Sequence, residues 1–256
     1  GLHFEGPMIA PDRAGAHDPS RIGAVEPDEY ATWAAGGVRL VTLAPETPGA
    51  LAAIERLSAD EVVVSIGHTA CSAADFAVAR VAGAAAVTHL FNAMAPFGHR
   101  APGPIGATLA DPTVVAGLIC DGLHVDPVAV AAAWRALGNE RTLLVTDAMA
   151  GLGLADGTTV ALGERTVTVG PDGARLADGT LAGSNLTMDV AVRNLVAFTG
   201  CSPAEALTCA ARVPADLLGL TGRGRVEPGA RADLVLLDDD LNVRRTIKGG
   251  VTAWKS

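Results

Sequence analysis

Aromatic residues are scarce in this 256-residue sequence, at 4%, although hydrophobic residues reach 49%. That scarcity excludes an aromatic core and leaves Ala, Val, Leu and Ile to fill the interior, the residues that pack parallel sheets wrapped by helices. No apolar run approaches the roughly 20 residues a helix needs to cross a bilayer, so no helical membrane span is expected. There is no block of basic residues, and Asp and Glu outnumber Lys and Arg 28 to 19, giving a net charge of −9. Nucleic acid and anionic membrane surfaces are therefore not expected as partners. An anionic small molecule stays open, because one Arg and a few backbone N–H groups suffice to hold a phosphate. No C-x-x-C occurs, so Cys71, Cys120, Cys201 and Cys209 read as reduced core thiols of a cytoplasmic protein. The sequence also lacks an initiator Met and a targeting segment. It opens directly on the strand-like GLHFEGP, so its first residue is expected to be an internal point of a longer chain.

What is present is an alternation of apolar strand-like runs and Ala-rich helical stretches over the first 150 residues. The expected strands are LHF before Glu5, RLVTLA at 39–44, EVVVSIG at 61–67, AAVTHL at 85–90, VVAGLICD at 114–121 and TLLVTD at 142–147. Between them lie patterns such as SAADFAVARVAG, where Ser72 caps a helix and Gly83 stops it. Strand-helix alternation implies a parallel sheet. A (β/α)₈ barrel takes about 250 residues, roughly 30 per unit, so the expected fold is α/β: an incomplete TIM-like barrel with its last six units visible. From about 157 the texture changes to short alternating strands, with a turn at Pro171-Asp172-Gly173. Helices are expected from Thr187 to Thr199 and from Pro203 to Leu218, with Gly183-Ser184 also marking a helix start, and paired strands close the sequence. Residues 1–156 and 182–222 are thus assigned to the barrel. Residues 157–181 and 223–256 are assigned to a small β-sandwich satellite domain, also incomplete.

In such a barrel, chemistry gathers where the loops after the strands converge. Five of the six strand ends carry a residue able to bind metal or move a proton: Glu5, His68, His89, Asp121 with nearby His124, and Asp147. A lone His at a strand end reads first as a hydrogen-bonded structural group. Glu5, His68 and His89 together, however, offer one anionic oxygen and two neutral nitrogens, the ligand count of a catalytic metal site with a position open for water. Asp147 would face the same mouth as an acid/base, its alternative being a helix N-cap. Side chains in a strand alternate with period two, so His3 shares a face with Glu5, one layer below, and is expected to support the site rather than bind metal. Two histidines and one carboxylate suit Zn²⁺ first, with Fe²⁺, Co²⁺ or Mn²⁺ also matching.

The stretches LHFEGP, AGAHDP, GHT, THLFNAM, DGLHVD, LVTDAM and LAGSNLTM, in this order, resemble the N-acetylglucosamine-6-phosphate deacetylase family of the amidohydrolase superfamily. The resemblance implies hydrolysis of the acetamide of a phosphorylated amino sugar, with Glu5, His68 and His89 on the metal and Asp147 as acid/base. It implies that His17 contacts the sugar or its acetyl carbonyl, that Asn92 and Ala93 meet phosphate and sugar, and that His124 binds substrate. Arg100 resembles a phosphate-binding arginine that reaches into a neighbouring site across a homodimer interface. From the residues alone His17 could close a turn, Asn92 cap a segment and Arg100 be a surface charge. The family's chain also carries two earlier barrel strands, so roughly a third of the whole is expected to precede Gly1.

Overall fold

The computed structural model describes every residue from Gly1 to Ser256. Six strands, β1 (Leu2–Glu5), β2 (Val38–Leu43), β3 (Val63–Ile66), β4 (Ala86–Val87), β5 (Val115–Ile119) and β6 (Thr142–Val145), lie in one sheet in chain order. Every neighbouring pair is parallel. The crossovers carry α1 (Pro27–Tyr30), α2 (Ala50–Ala59), α3 (Ala73–Ala82), α4 (Gly103–Ala110) and α5 (Pro127–Arg141). Sequential order with helical crossovers is the winding of a (β/α) barrel, here as an open sheet of six strands. The expected strands are all found. β4 is shorter than the 85–90 expected, because His89, Phe91 and Ala93 adopt φ values of 28°, 81° and 50° and leave the extended region.

Local chemistry sets the helix bounds. Ser72 caps α3 in a reciprocal capping box with Asp75, and Gly83 ends it at φ 119°. The sheet's outer face and α2 to α4 enclose Val41, Leu43, Ile54, Leu57, Val64, Ile66 and Val114, all essentially inaccessible. Each such side chain contributes about 1.5–3 kcal/mol by leaving water. The inner face carries polar groups instead. His3 Nε2 bonds Thr42 Oγ1 at 2.8 Å, Thr42 Oγ1 meets Thr88 Oγ1 at 2.7 Å, and Ser65 Oγ meets Thr88 Oγ1 at 2.6 Å. His3 is thereby tied into a buried hydroxyl layer beneath Glu5.

After β6 the antiparallel strands β7 (Thr159–Leu162), β8 (Arg165–Thr168) and β9 (Arg175–Leu176) form a separate small sheet. The chain then continues into α6 (Met188–Thr199), α7 (Pro203–Ala210) and α8 (Arg212–Leu217). A third sheet closes the chain: β10 (Leu234–Leu237), β11 (Val243–Lys248) and β12 (Val251–Lys255). The two small sheets share no strand pairing. The helix expected from Pro203 to Leu218 is broken at Ala211, which has φ −127° and ψ −63°. Pro214 is the cause: it has no N–H to give the Ala210 carbonyl, and its ring crowds that position. Nor do Gly183 and Ser184 start a helix. Ser184 pairs in a bridge with Ala148, and α6 begins at Met188.

Candidate metal centre and acid/base site

Glu5 ends β1, while His68 and His89 each sit two residues past β3 and β4, so parallel winding delivers all three to the carboxyl edge of the sheet. Their ligand atoms lie within 4.8 Å of one another. Glu5 Oε1 is 3.2 Å from His68 Nε2 and 3.1 Å from His89 Nε2, and the two Nε2 atoms are 3.1 Å apart. Both rings are buried, at 5% and 6% exposure, although each is a polar group. His68 Nδ1 donates to the Arg13 carbonyl at 2.7 Å. A carbonyl cannot donate, so that nitrogen holds the proton and the neutral ring's lone pair sits on Nε2, facing Glu5 and His89. His89 Nδ1 is buried without a partner, which leaves Nε2 as that ring's polar outlet. A carboxylate and two imidazole nitrogens thus converge on one point, a donor set that fits a divalent cation.

His17 joins from the loop after β1, its Nε2 3.4 Å from Glu5 Oε2 and its ring edge-on to His68 at 4.8 Å between centroids. Burial alone would raise the Glu5 carboxyl, but the imidazoles of His17, His68 and His89 gathered around it overcome that and hold the group well below the usual carboxylate range. His89 moves the other way. Burial disfavours its charged form, yet the hydrogen bond and charge of Glu5, with the charge of Asp147, shift the ring's pKa upward.

Asp147 follows β6. Its carboxylate makes no hydrogen bond within the chain, so it is not the N-cap that the sequence also allowed. Burial pushes its pKa above the ordinary carboxylate value, opposed by His89 and reinforced by the negative charge of Glu5. Its backbone sits at φ 51°, as His68 sits at 49° and His89 at 28°. Left-handed backbone at three non-glycine residues of one site costs about 1–3 kcal/mol each and needs an imposed context. For Asp147 that context is the 183–184 turn: Ser184 N donates to the Asp147 carbonyl at 2.6 Å, and Ser184 Oγ donates to the Thr146 carbonyl. At Gly183, φ 64°, an added Cβ would lie 2.9 Å from Met149 Cβ and 3.0 Å from that same Asp147 oxygen, so a side chain there would force the turn to shift.

His124 lies within electrostatic reach of Asp147, with its Nδ1 on Asp121 Oδ2 at 2.5 Å. Asp121 Oδ1 also accepts from the backbone N–H groups of Leu123 and His124, both at 2.8 Å. Burial works against ionisation of Asp121, but these donors keep its carboxyl below the ordinary value. Asn92 turns its amide back to the carbonyls of His89 and Leu90, at 3.3 and 3.4 Å. Ala93 bridges back to the loop after β3, its carbonyl accepting from Thr69 N at 3.1 Å. Arg100 lies on the exposed loop before α4 and makes no ion pair within the chain. The structure therefore gathers Glu5, His68, His89 and His17, keeps Asp147 and His124 electrostatically in reach, and leaves Arg100 apart.

One residue was not legible. Glu46 lies just beyond β2, the strand end without a candidate, and accepts from Thr69 Oγ1 and Ala70 N, both at 2.6 Å, fixing the turn that follows His68. Its place after a strand end was the available signal. The thiols, by contrast, are as expected: all four cysteines are free and buried, and burial pushes Cys71, Cys120 and Cys209 up to about 12.

Parallel strands that deliver a donor set and a carboxylate to one edge are the arrangement of an α/β barrel with its polar groups at the carboxyl ends of the strands. The profile of the amidohydrolase family matches residues 1–253, and the chain belongs to that family. It is 40% identical over 260 residues to N-acetylglucosamine-6-phosphate deacetylase of Bacillus subtilis, a match that takes in 100% of this chain and 65% of that protein. It is also 40% identical over 249 residues to N-acetylgalactosamine-6-phosphate deacetylase of Escherichia coli O157:H7, covering 96% of this chain and 66% of the relative. Among solved structures, a mutant N-acetyl-D-glucosamine-6-phosphate deacetylase from Mycobacterium smegmatis in complex with N-acetyl-D-glucosamine-6-phosphate superimposes with a TM-score of 0.93 at 41% identity. That match covers 98% of this chain and 68% of the other. The chain thus spans about two thirds of the length of these relatives. No helix is long and apolar enough to cross a membrane.

Proposed function

We propose that this chain carries the metal-binding and acid/base residues of a deacetylase that hydrolyses the acetamide of N-acetylglucosamine 6-phosphate to glucosamine 6-phosphate and acetate. The observation that carries the reading is the meeting of Glu5, His68 and His89 within 4.8 Å, beside a carboxylate whose pKa burial has raised. The relatives named above supply the substrate class.

Held by Glu5, His68 and His89, a divalent cation, Zn²⁺ before Fe²⁺, Co²⁺ or Mn²⁺, would polarise the acetamide carbonyl and acidify the attacking water. Asp147 takes the proton from that water as it adds to the carbonyl carbon. Its raised pKa suits it to hold the proton and then deliver it to the nitrogen as the C–N bond breaks. His17 donates from Nε2 to the carbonyl oxygen as negative charge grows there. His124, its Nδ1 proton fixed by Asp121, presents Nε2 as an acceptor for a sugar hydroxyl. Asn92 and Ala93 line the sugar and phosphate side, and Arg100 serves the phosphate of a partner subunit in a cytoplasmic homodimer. Residues 1–156 and 182–222 form the hydrolase unit in this reading, and 157–181 with 223–256 the accessory β structure.

A second reading, the C4 epimer N-acetylgalactosamine 6-phosphate, is favoured by the equal identity to the Escherichia coli relative. One assay separates them: acetate release by the full-length protein from N-acetylglucosamine, its 6-phosphate and N-acetylgalactosamine 6-phosphate, before and after chelation. Turnover of the glucosamine 6-phosphate derivative alone, lost on chelation and restored by metal, is expected. Turnover that survives exhaustive chelation would overturn the assignment.

A further inference from the structure

The loop that carries His17 is shaped around the metal centre. The Arg13 carbonyl receives the His68 Nδ1 proton, and Gly15, at φ 57°, lies where an added Cβ would come 3.4 Å from the His68 ring. His17 Nε2 then reaches Glu5 Oε2. The His17 N–H to Ala14 carbonyl bond, 3.0 Å, closes the turn at residues 14–17 locally. The outward carbonyls of Ala16 and His17 are held from far along the chain. Arg165, the first residue of β8, places Nη1 3.2 Å from each of them. Its side chain is 30% exposed, and its ion pair to the exposed Asp178 is long at 3.7 Å. The carbonyls are thus its principal partners. Beneath them Ala16 packs against the small buried core of Val167, Ala174, Leu176 and Ala182. Met149, two residues beyond Asp147, packs on the same core.

We propose that Arg165 is a positioning residue for His17: from the β7–β9 sheet it clamps two consecutive carbonyls of the loop and so fixes the imidazole over Glu5 and His68. Charge-assisted hydrogen bonds from one guanidinium to neighbouring carbonyls replace water that would leave the loop free to move. The neighbouring link, Arg21 to Glu164 at 3.2 Å, is exposed on both sides and contributes little. The role rests on the deacetylase reading of the site, so the test has one arm that needs no turnover.

In the full-length enzyme, Arg165→Ala is expected to lower kcat/KM for acetate release about 10- to 100-fold, the scale of a misplaced catalytic group. Its melting midpoint should shift by no more than about 4 °C. In a His17→Ala background the same substitution should cost less than about threefold, because coupled residues are not additive. Glu164→Ala should stay within about twofold of wild type. In the second arm, nitrogen NMR of histidine-labelled protein should show the His17 ring signals shifted or broadened in Arg165→Ala, with those of His124 unmoved. Arg165→Gln replaces the Ala variant if that fails to fold. Fully multiplicative losses in the double variant, or His17 signals identical to wild type, would overturn the proposal. If the wild type releases no acetate, the deacetylase reading fails while the NMR arm still decides the positioning role.

Discussion

At the scale of single residues the site is a set of conflicts held in place by neighbours. His68, His89 and Asp147 occupy left-handed backbone that residues other than glycine rarely adopt, and distant loops bond two of them: the Ala10 N–H donates to the His68 carbonyl and the Ser184 N–H to that of Asp147. Removing the carboxylate without changing its shape tests its role. Asp147→Asn in the full-length protein should lower kcat for acetate release by about 10²–10⁴, while metal content, read by elemental analysis, stays that of wild type. The direction of the Asp147 shift predicts the pH profile as well. A base must be ionised to accept a proton, and burial raises its pKa. The acid limb of kcat/KM should therefore lie above the ordinary Asp value of about 4, with activity rising as pH passes upward through it. A limb at or below that value would show that Asp147 is not desolvated as the structure has it.

At the scale of elements, stability sits in caps and close contacts that can be tested singly. Ser72→Ala removes half of the capping box of α3 and should cost about 1 kcal/mol in a urea titration. Asp111, at the end of α4, accepts from Thr113 N and Oγ1 at 2.7 and 2.8 Å, from Val114 N at 3.0 Å and from Arg80 Nε at 2.9 Å. Burial opposes ionisation of this carboxyl, but the donors, Thr113 N–H and Arg80 foremost, hold it well below its ordinary value. The folded state therefore gains stability from Asp111 above the unfolded pKa of about 3.9, and loses it as pH falls through the lower folded value. Asp111→Ala should be destabilised by about 1–3 kcal/mol at neutral pH and converge with wild type in strong acid. Gly67 is set by tertiary packing: an added Cβ would stand 2.7 Å from Thr42 Cγ2 and 2.8 Å from Thr88 Cβ. Gly67→Ala should cost about 1–3 kcal/mol through overpacking and disturb the hydroxyl layer under Glu5.

At the scale of the molecule, the six-stranded sheet has two open edges, β1 and β6, each paired on one side only. On β1 Leu2 is 53% and Phe4 37% exposed. An exposed apolar edge strand is a template for pairing with another chain. The isolated 256-residue chain is expected to self-associate in sedimentation velocity, and Leu2→Lys should reduce that association. A monomeric sedimentation profile for the unsubstituted chain would refute the expectation.

Much of this was legible in the residues. Strand-helix rhythm gave the parallel sheet, because the strands read as largely apolar runs and a parallel return requires a helical crossover. The strand ends named the metal-ligating and acid/base candidates, because parallel winding sends every strand's end to the same edge. The helix expected over 203–218 was misjudged because its apolar spacing runs on through Pro214 while the backbone cannot. Glu46, Arg165 and the left-handed φ values stayed hidden for a different reason. Glu46 bonds Thr69, 23 positions away, and Arg165 bonds Ala16, 149 positions away. Periodicity reports what a residue does along its own strand or helix. Which distant loop a side chain meets is set when the strands close side by side, and only the tertiary structure decided that.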